Sequence, residues 1–216
     1  MNYHPFFIEN QYLYRMPPLT SYVRLLHASP DIPPVNIYFN NRLVFRRYPF
    51  KRFTNYFSVP EGIQNIKVIL PGKANPIINT SITIEPDKIL TLTLINKIEN
   101  ADIEIIEDSK LPVAPGKTSL RLINLSPGLE SVDLFTSDNI SIIKSIPYTQ
   151  LSKYANITPS KYDFNIRSSR TGSNLLYIPN ITFRSNRFYS MYLIGLTAAE
   201  PSLQVLIPLD GNTYIK

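Results

Sequence analysis

The sequence contains no cysteine, which excludes a disulfide framework, thiolate metal ligands and a cysteine nucleophile together. Two histidines, His4 and His27, are too few for a histidine-built metal site. The seven glycines never form a G-x-x-x-x-G-K or G-x-G-x-x-G phosphate loop. The D-x-D-x-D-G spacing of a calcium loop is also missing. Charged residues make up only 18% of the chain. No stretch approaches the roughly 20 consecutive apolar residues of a membrane span. Residues Met1 to Asn10 lack a basic start, a long apolar run and a small-residue cleavage site. No secretory signal is therefore expected, and synthesis is expected in the cytosol.

What is present describes a strand-rich globular protein. Of 216 residues, 44% are hydrophobic, enough for one large core or two small ones. Nineteen prolines with 14 tyrosines and 11 phenylalanines favour strands joined by turns over helices. Lys and Arg number 22 against 16 Asp and Glu, a net charge of +6 that favours acidic partners without choosing among them.

An internal repeat organises the chain. Val23-Arg24-Leu25-Leu26-His27-Ala28-Ser29-Pro30 returns as Leu120-Arg121-Leu122-Ile123-Asn124-Leu125-Ser126-Pro127. The register continues from Val35-Asn36-Ile37 to Val132-Asp133-Leu134. After one inserted residue it passes from Tyr48-Pro49-Phe50 to Ile146-Pro147-Tyr148 and from Tyr56 to Tyr154. Within each copy apolar residues alternate, as at Val35, Ile37 and Phe39, at Ile66, Val68 and Leu70, and at Ile103 and Ile105. Turn residues such as Asn40-Asn41 and Pro71-Gly72-Lys73 separate these runs. The pattern predicts two tandem antiparallel β-sandwiches of about seven strands each. An aromatic N-terminal arm is expected over 1–20, the first sandwich over 21–108, a proline-stiffened linker over 109–117, and the second sandwich over 118–216.

The stretch Val23 to Tyr38, with its His27-Ala28-Ser29-Pro30-Asp31 core and Val35-Asn36-Ile37-Tyr38 end, resembles the opening signature of the bacterial domain-of-unknown-function family 4397 (DUF4397). Pro49-Phe50, Tyr56 and Val59-Pro60-Glu61-Gly62 are similar to its later landmarks, and Arg121 to Leu134 repeats the opening in weaker form. The resemblance implies tandem Ig-like or transthyretin-like sandwiches, often secreted or attached to the bacterial surface, with no activity established for the family. Asn36 stands where the signature has Asp, and Asn124 replaces the His of the second copy. Each copy thus departs at one of the two positions that a catalytic His–Asp pair would need.

Candidate residues fall into three groups. His27 with Asp31 is the one arrangement open to an acid–base reading, but Ser29, Pro30 and Asp31 also suit a turn leaving a strand, as do Ser126 and Pro127 in the second copy. Arg24 and Arg121 recur at equivalent positions and are expected to be structural, each tying a carboxylate or loop carbonyls. The candidate interaction residues are Arg46, Arg47, Tyr48, Lys51 and Arg52, cations interleaved with Phe45, Phe50 and Phe53, together with Tyr3, Phe6, Phe7, Tyr12 and Tyr14 of the arm. Segment 143–150 of the second copy is nearly neutral, so the charge of 45–53 is not a requirement of the fold.

The expected function is non-enzymatic and without cofactor. It is a structural or interaction protein of a bacterial surface or spore layer, assembling with itself or with other layer proteins through sheet edges and the arm. A carbohydrate- or acidic-polymer-binding module is the alternative, and nucleic acid is the disfavoured partner.

Overall fold

The structure, a computed structural model, describes residues 19–215. The arm candidates Tyr3, Phe6, Phe7, Tyr12 and Tyr14 lie outside the described residues. Sixteen strands follow in order, eight in each half. The first half contains β1 (Thr20–His27), β2 (Val35–Phe39), β3 (Arg42–Tyr48), β4 (Phe57–Pro60), β5 (Gly62–Ile69), β6 (Pro76–Ile84), β7 (Ile89–Ile95) and β8 (Asp102–Glu107). The second contains β9 (Thr118–Asn124), β10 (Ser131–Thr136), β11 (Ser141–Pro147), β12 (Ala155–Ile157), β13 (Lys161–Ser168), β14 (Asn174–Thr182), β15 (Arg187–Ile194) and β16 (Gln204–Leu206). Among the described residues, helix is confined to 3₁₀ turns at Ile98–Asn100 and Gly211–Thr213. Thr20, expected in the arm, already belongs to β1.

The strands form four four-stranded sheets, β3-β2-β5-β6 and β4-β1-β7-β8 in the first half, β12-β9-β15-β16 and β11-β10-β13-β14 in the second. The second half repeats the strand order of the first. Pairings are antiparallel except β1 with β7 and β9 with β15, which are parallel. These four central strands are largely buried on both faces yet still alternate, with Leu90, Leu92 and Leu94 on one face of β7 and Thr91 and Thr93, also buried, on the other. All seven residues of β7, Ile89 to Ile95, are buried, and so are all seven of β9.

Alternation assigns the two faces. Val23 and Leu25 of β1 and Leu90, Leu92 and Leu94 of β7 pack inward against Val35, Ile37, Ile66 and Val68. Leu120, Leu122, Met191 and Leu193 pack the second core with Val132, Leu134, Phe164 and Ile166. The opposite faces of the two central sheets meet in a third apolar cluster, where Leu26, Ile95 and Ile106 of the first half touch Ile123, Tyr192 and Ile194 of the second. The molecule is therefore two sandwiches laid sheet against sheet. At about 25 cal/mol per Å² of apolar surface, this third cluster gives the halves a driving force to associate that does not depend on the linker.

Polar residues of that interface repeat the symmetry. Arg24 donates from Nε to Thr91 Oγ1 at 2.8 Å and from Nη1 to the Leu209 carbonyl at 2.9 Å. Arg121 donates from Nε to Ser190 Oγ at 2.6 Å and from Nη1 to the Glu107 carbonyl at 2.7 Å. Each arginine then meets the aspartate that follows that carbonyl in the other half. Arg24 Nη2 lies 3.5 Å from Asp210 Oδ1, and Arg121 Nη2 lies 2.7 Å from Asp108 Oδ1. Tyr56 donates to Asp108 and Tyr154 to Asp210, both at 2.6 Å. All four charged groups are essentially excluded from solvent.

Candidate binding groove

The basic stretch 45–53 owes its shape to a turn and a bulge. Asn40 and Asn41 both take positive φ, 47° and 64°, forming the tight connection between β2 and β3. Asparagine tolerates this conformation, which a β-branched residue does not. The β2–β3 register then slips, pairing Ile37 with Phe45 but Val35 with Tyr48, so Arg46 and Arg47 share one place in the ladder. Arg47 has φ 48°, and its N–H donates to Asn36 Oδ1 at 2.9 Å. Ser145, at φ 56° in the second half, donates in the same way to Asp133 Oδ1 at 2.7 Å. Asn36 and Asp133 thus do one job, accepting the main-chain donor that the bulge leaves unpaired, and Asn and Asp are interchangeable in it.

After the bulge the chain turns inward. Tyr48 is buried, donating to the Arg52 carbonyl at 2.7 Å, so its ring packs the core and offers no free face to a ligand. Lys51 leaves in another direction and donates to Gln204 of the second half at 3.4 Å. Between β3 and segment 52–57 opens a groove of about 610 Å³ lined by Arg46, Arg47, Arg52, Phe45, Tyr56 and Phe57, among others. Arg46, Arg47 and Arg52 are exposed and make no ion pair among the described residues. The guanidinium of Arg24 sits 4.7 Å from the Phe53 ring centre and 4.8 Å from that of Tyr56, holding both groove-lining rings from the buried side. Burial opposes the charge of Arg24, but Tyr192, Tyr56, Asp108 and Asp210 outweigh it and raise the pKa, so this arginine is always a cation. Burial likewise pushes the Tyr56 phenol up, and it stays protonated as the donor to Asp108.

The arginines of this groove stand out in the sequence, but the wall from Thr54 to Phe57 does not. That wall is built by the chain's return from Phe53, bridged to Leu26, into β4, a long-range placement without a local sequence signal.

The His27–Asp31 pair is not brought together. His27 is fully buried at the end of β1, neither ring nitrogen has a hydrogen-bond partner, and the ring meets Phe50 edge-on at 6.0 Å between centres. Burial pushes its pKa down to about 4. Asp31 instead accepts the Ile98 N–H at 3.1 Å, and Ser29 Oγ donates to the Asn96 carbonyl. The expected local turn bonds are in fact long-range ties from Ser-Pro-Asp to the end of β7. Ser126 Oγ makes the corresponding bond to the Gly195 carbonyl at 2.7 Å. Pro30 is buried beside Ser29, while Pro127 is half-buried and opens the turn before β10.

A second, more polar hollow of about 580 Å³ lies in the second half between Asp138, Lys161 and Asn180. Among the described residues no cluster of three or more His, Asp or Glu side chains is placed to hold a metal ion. None of their helices is long and apolar enough to cross a membrane.

No curated protein matches the chain. Among solved structures it is similar, at 10% identity and a TM-score of 0.30, to CBMbc, a family 26 carbohydrate-binding module of Eubacterium rectale Amy13K in complex with maltoheptaose. That match covers 90% of this chain and 99% of the other. A candidate adhesin of Bacteroides ovatus is similar at 9% identity and a TM-score of 0.24, over 89% of this chain and 95% of that one. The family described as Domain of unknown function (DUF4397) matches residues 21–135, from β1 through β8 and on into β10. The chain belongs to the DUF4397 family.

Proposed function

We propose that this protein is a non-enzymatic interaction protein of a bacterial surface or spore layer, and that it holds an acidic partner in the groove beside β3. One observation carries the reading: Arg46, Arg47 and Arg52 converge on an aromatic-lined groove without a carboxylate to neutralise them. Arginine forks suit carboxylates, sulfates or phosphates, and the rings supply contact area to the apolar parts of a ligand. The net charge of +6 adds long-range attraction. The non-enzymatic part of the reading is supported by His27, which is sealed from solvent, and by Asp31, which is committed to a main-chain donor.

Titration of fluorescent polyglutamate into the full chain, read by anisotropy, tests this function. Saturable binding is expected to weaken steeply between about 50 and about 200 mM salt. The double variant Arg46→Glu with Arg52→Glu is expected to lose roughly tenfold or more in affinity. Affinity unchanged by those substitutions, or salt-insensitive binding of a neutral glucan in preference to the polyanion, would overturn the reading.

A further inference from the structure

β3 and β8 are terminal strands of two different sheets, each with one row of main-chain groups that its own sheet leaves unpaired. Their charges are opposite. β3 sets Arg42, Arg46 and Arg47 around Leu43 and Val44, which are 37% and 39% exposed. β8 sets Asp102, Glu104 and Glu107 around Ile105, which is 38% exposed. Lys88 engages Glu107 at 2.9 Å, whereas Asp102 and Glu104 make no ion pair among the described residues. Burial and the nearby Asp102 push the Glu104 carboxyl up, the condition that an approaching cation would relieve.

The other edges are less suited to strand addition. β4, β12 and β16 are four residues long or shorter. β14 contains Pro179, β6 carries no charge, and β11 carries only Lys144. Pairing β3 with β3 would set arginine against arginine, and pairing β8 with β8 would set acid against acid. Both isologous contacts are therefore disfavoured.

We infer that β3 of one copy adds to β8 of the next, so that the acidic partner of the groove edge is a second copy of this chain. The inference rests on the groove reading above and names its partner. An antiparallel docking with Val44 across from Ile105 sets Arg42 across from Glu107 and brings Arg46 and Arg47 to the Asp102–Glu104 end. Because the two edges are different surfaces, the contact is head-to-tail and repeats from copy to copy, in a ring where the rotation closes and in an open row where it does not.

Light scattering of the full chain over a concentration series, at low and high salt, tests the inference. The mass is expected to rise from 24.7 kDa to about twice that or more with concentration, and to fall back at high salt. Arg42→Glu with Arg46→Glu makes both edges acidic, and Asp102→Lys with Glu104→Lys makes both basic. Each variant alone is expected to stay at the mass of a single chain, while their equimolar mixture assembles, because every β3 then meets a β8 of opposite sign. Unfolding midpoints establish that each variant is folded, and Asp102→Lys with Glu107→Lys replaces the second pair where the half-buried Glu104 does not tolerate lysine. A wild-type mass that stays at 24.7 kDa, or a mixture that does not assemble, overturns the inference. If that same wild-type protein still binds polyglutamate in a salt-dependent way, the groove reading stands alone. Assembly untouched by the β3 reversal, with no polyglutamate binding, sinks both.

Discussion

Arg24, near the start of the first half, is buried against Asp210, near the end of the second, with Nη2 3.5 Å from Oδ1. Arg121 and Asp108 return the relationship from the other side at 2.7 Å. Each half thus buries a cation whose nearest carboxylate comes from the other half. Tyr154 Oη and Ser190 Oγ satisfy Asp210 Oδ2, while Tyr56 Oη and the Gly211 N–H satisfy Asp108 Oδ2.

Removal of one charge from this cluster is expected to be severe. Asp210→Ala leaves Arg24 without its carboxylate and deprives Arg121 of a second one at 3.7 Å. A buried charge left unpaired costs about 3–5 kcal/mol, which urea unfolding measures. Replacing the pair together, Arg24→Met with Asp210→Leu, is expected to recover a substantial part of that loss. A loss below about 1 kcal/mol for Asp210→Ala would show that the cluster is not what the geometry makes it.

The halves are expected to stay together when the linker is cut. A protease site placed between Pro112 and Pro115 leaves untouched both the apolar cluster of Leu26, Ile106, Ile123 and Tyr192 and the reciprocal arginine–aspartate pairs. Gel filtration after cleavage is expected to show one species of unchanged size. Two peaks of half the mass would mean that the linker holds the molecule together.

His27 makes stability depend on pH. Its folded pKa, about 4, lies below the ordinary value of 6.5, so between these values the unfolded chain binds a proton that the folded chain refuses. Stability is expected to fall by about 2 kcal/mol from this group between about pH 7 and about pH 5. His27→Asn, which copies Asn124 of the second half, is expected to remove that increment while leaving the carboxylate titration below it. Equal slopes for wild type and variant over this range would refute the assignment.

Two glycines separate backbone strain from collision. Gly195 has φ 89°, and a Cβ there would press on the carbonyl oxygens of Pro201 and Ser202; Gly172 has φ 70° and open space around it. Gly172→Ala is expected to cost about 1 kcal/mol from conformation alone. Gly195→Ala adds about 1–3 kcal/mol of overpacking, and thermal unfolding should rank the two accordingly.

The strands, their alternation and their turns were legible because they are written in local patterns. The side-chain period of two places Ile37 and Val68 inward, and Asn40-Asn41 can take the positive φ of a tight turn with little strain. The repeat of Arg24 at Arg121, and of Asn36 at Asp133, likewise stands in the one-dimensional record. The partners of those residues do not. Asp108 reads as the last member of an acidic run, yet it is sealed from solvent while Asp102 and Glu107 are exposed, because the second half closes over it alone. Tyr48 and Arg47 are neighbours in a uniform aromatic-basic stretch, but a bulge sends one into the core and the other to the groove. Local stereochemistry decides which segments extend and which turn. Which charges are buried, and which remain free for a partner, depends on contacts between residues up to 186 positions apart, as for Arg24 and Asp210, and those exist only once the two sheets have met.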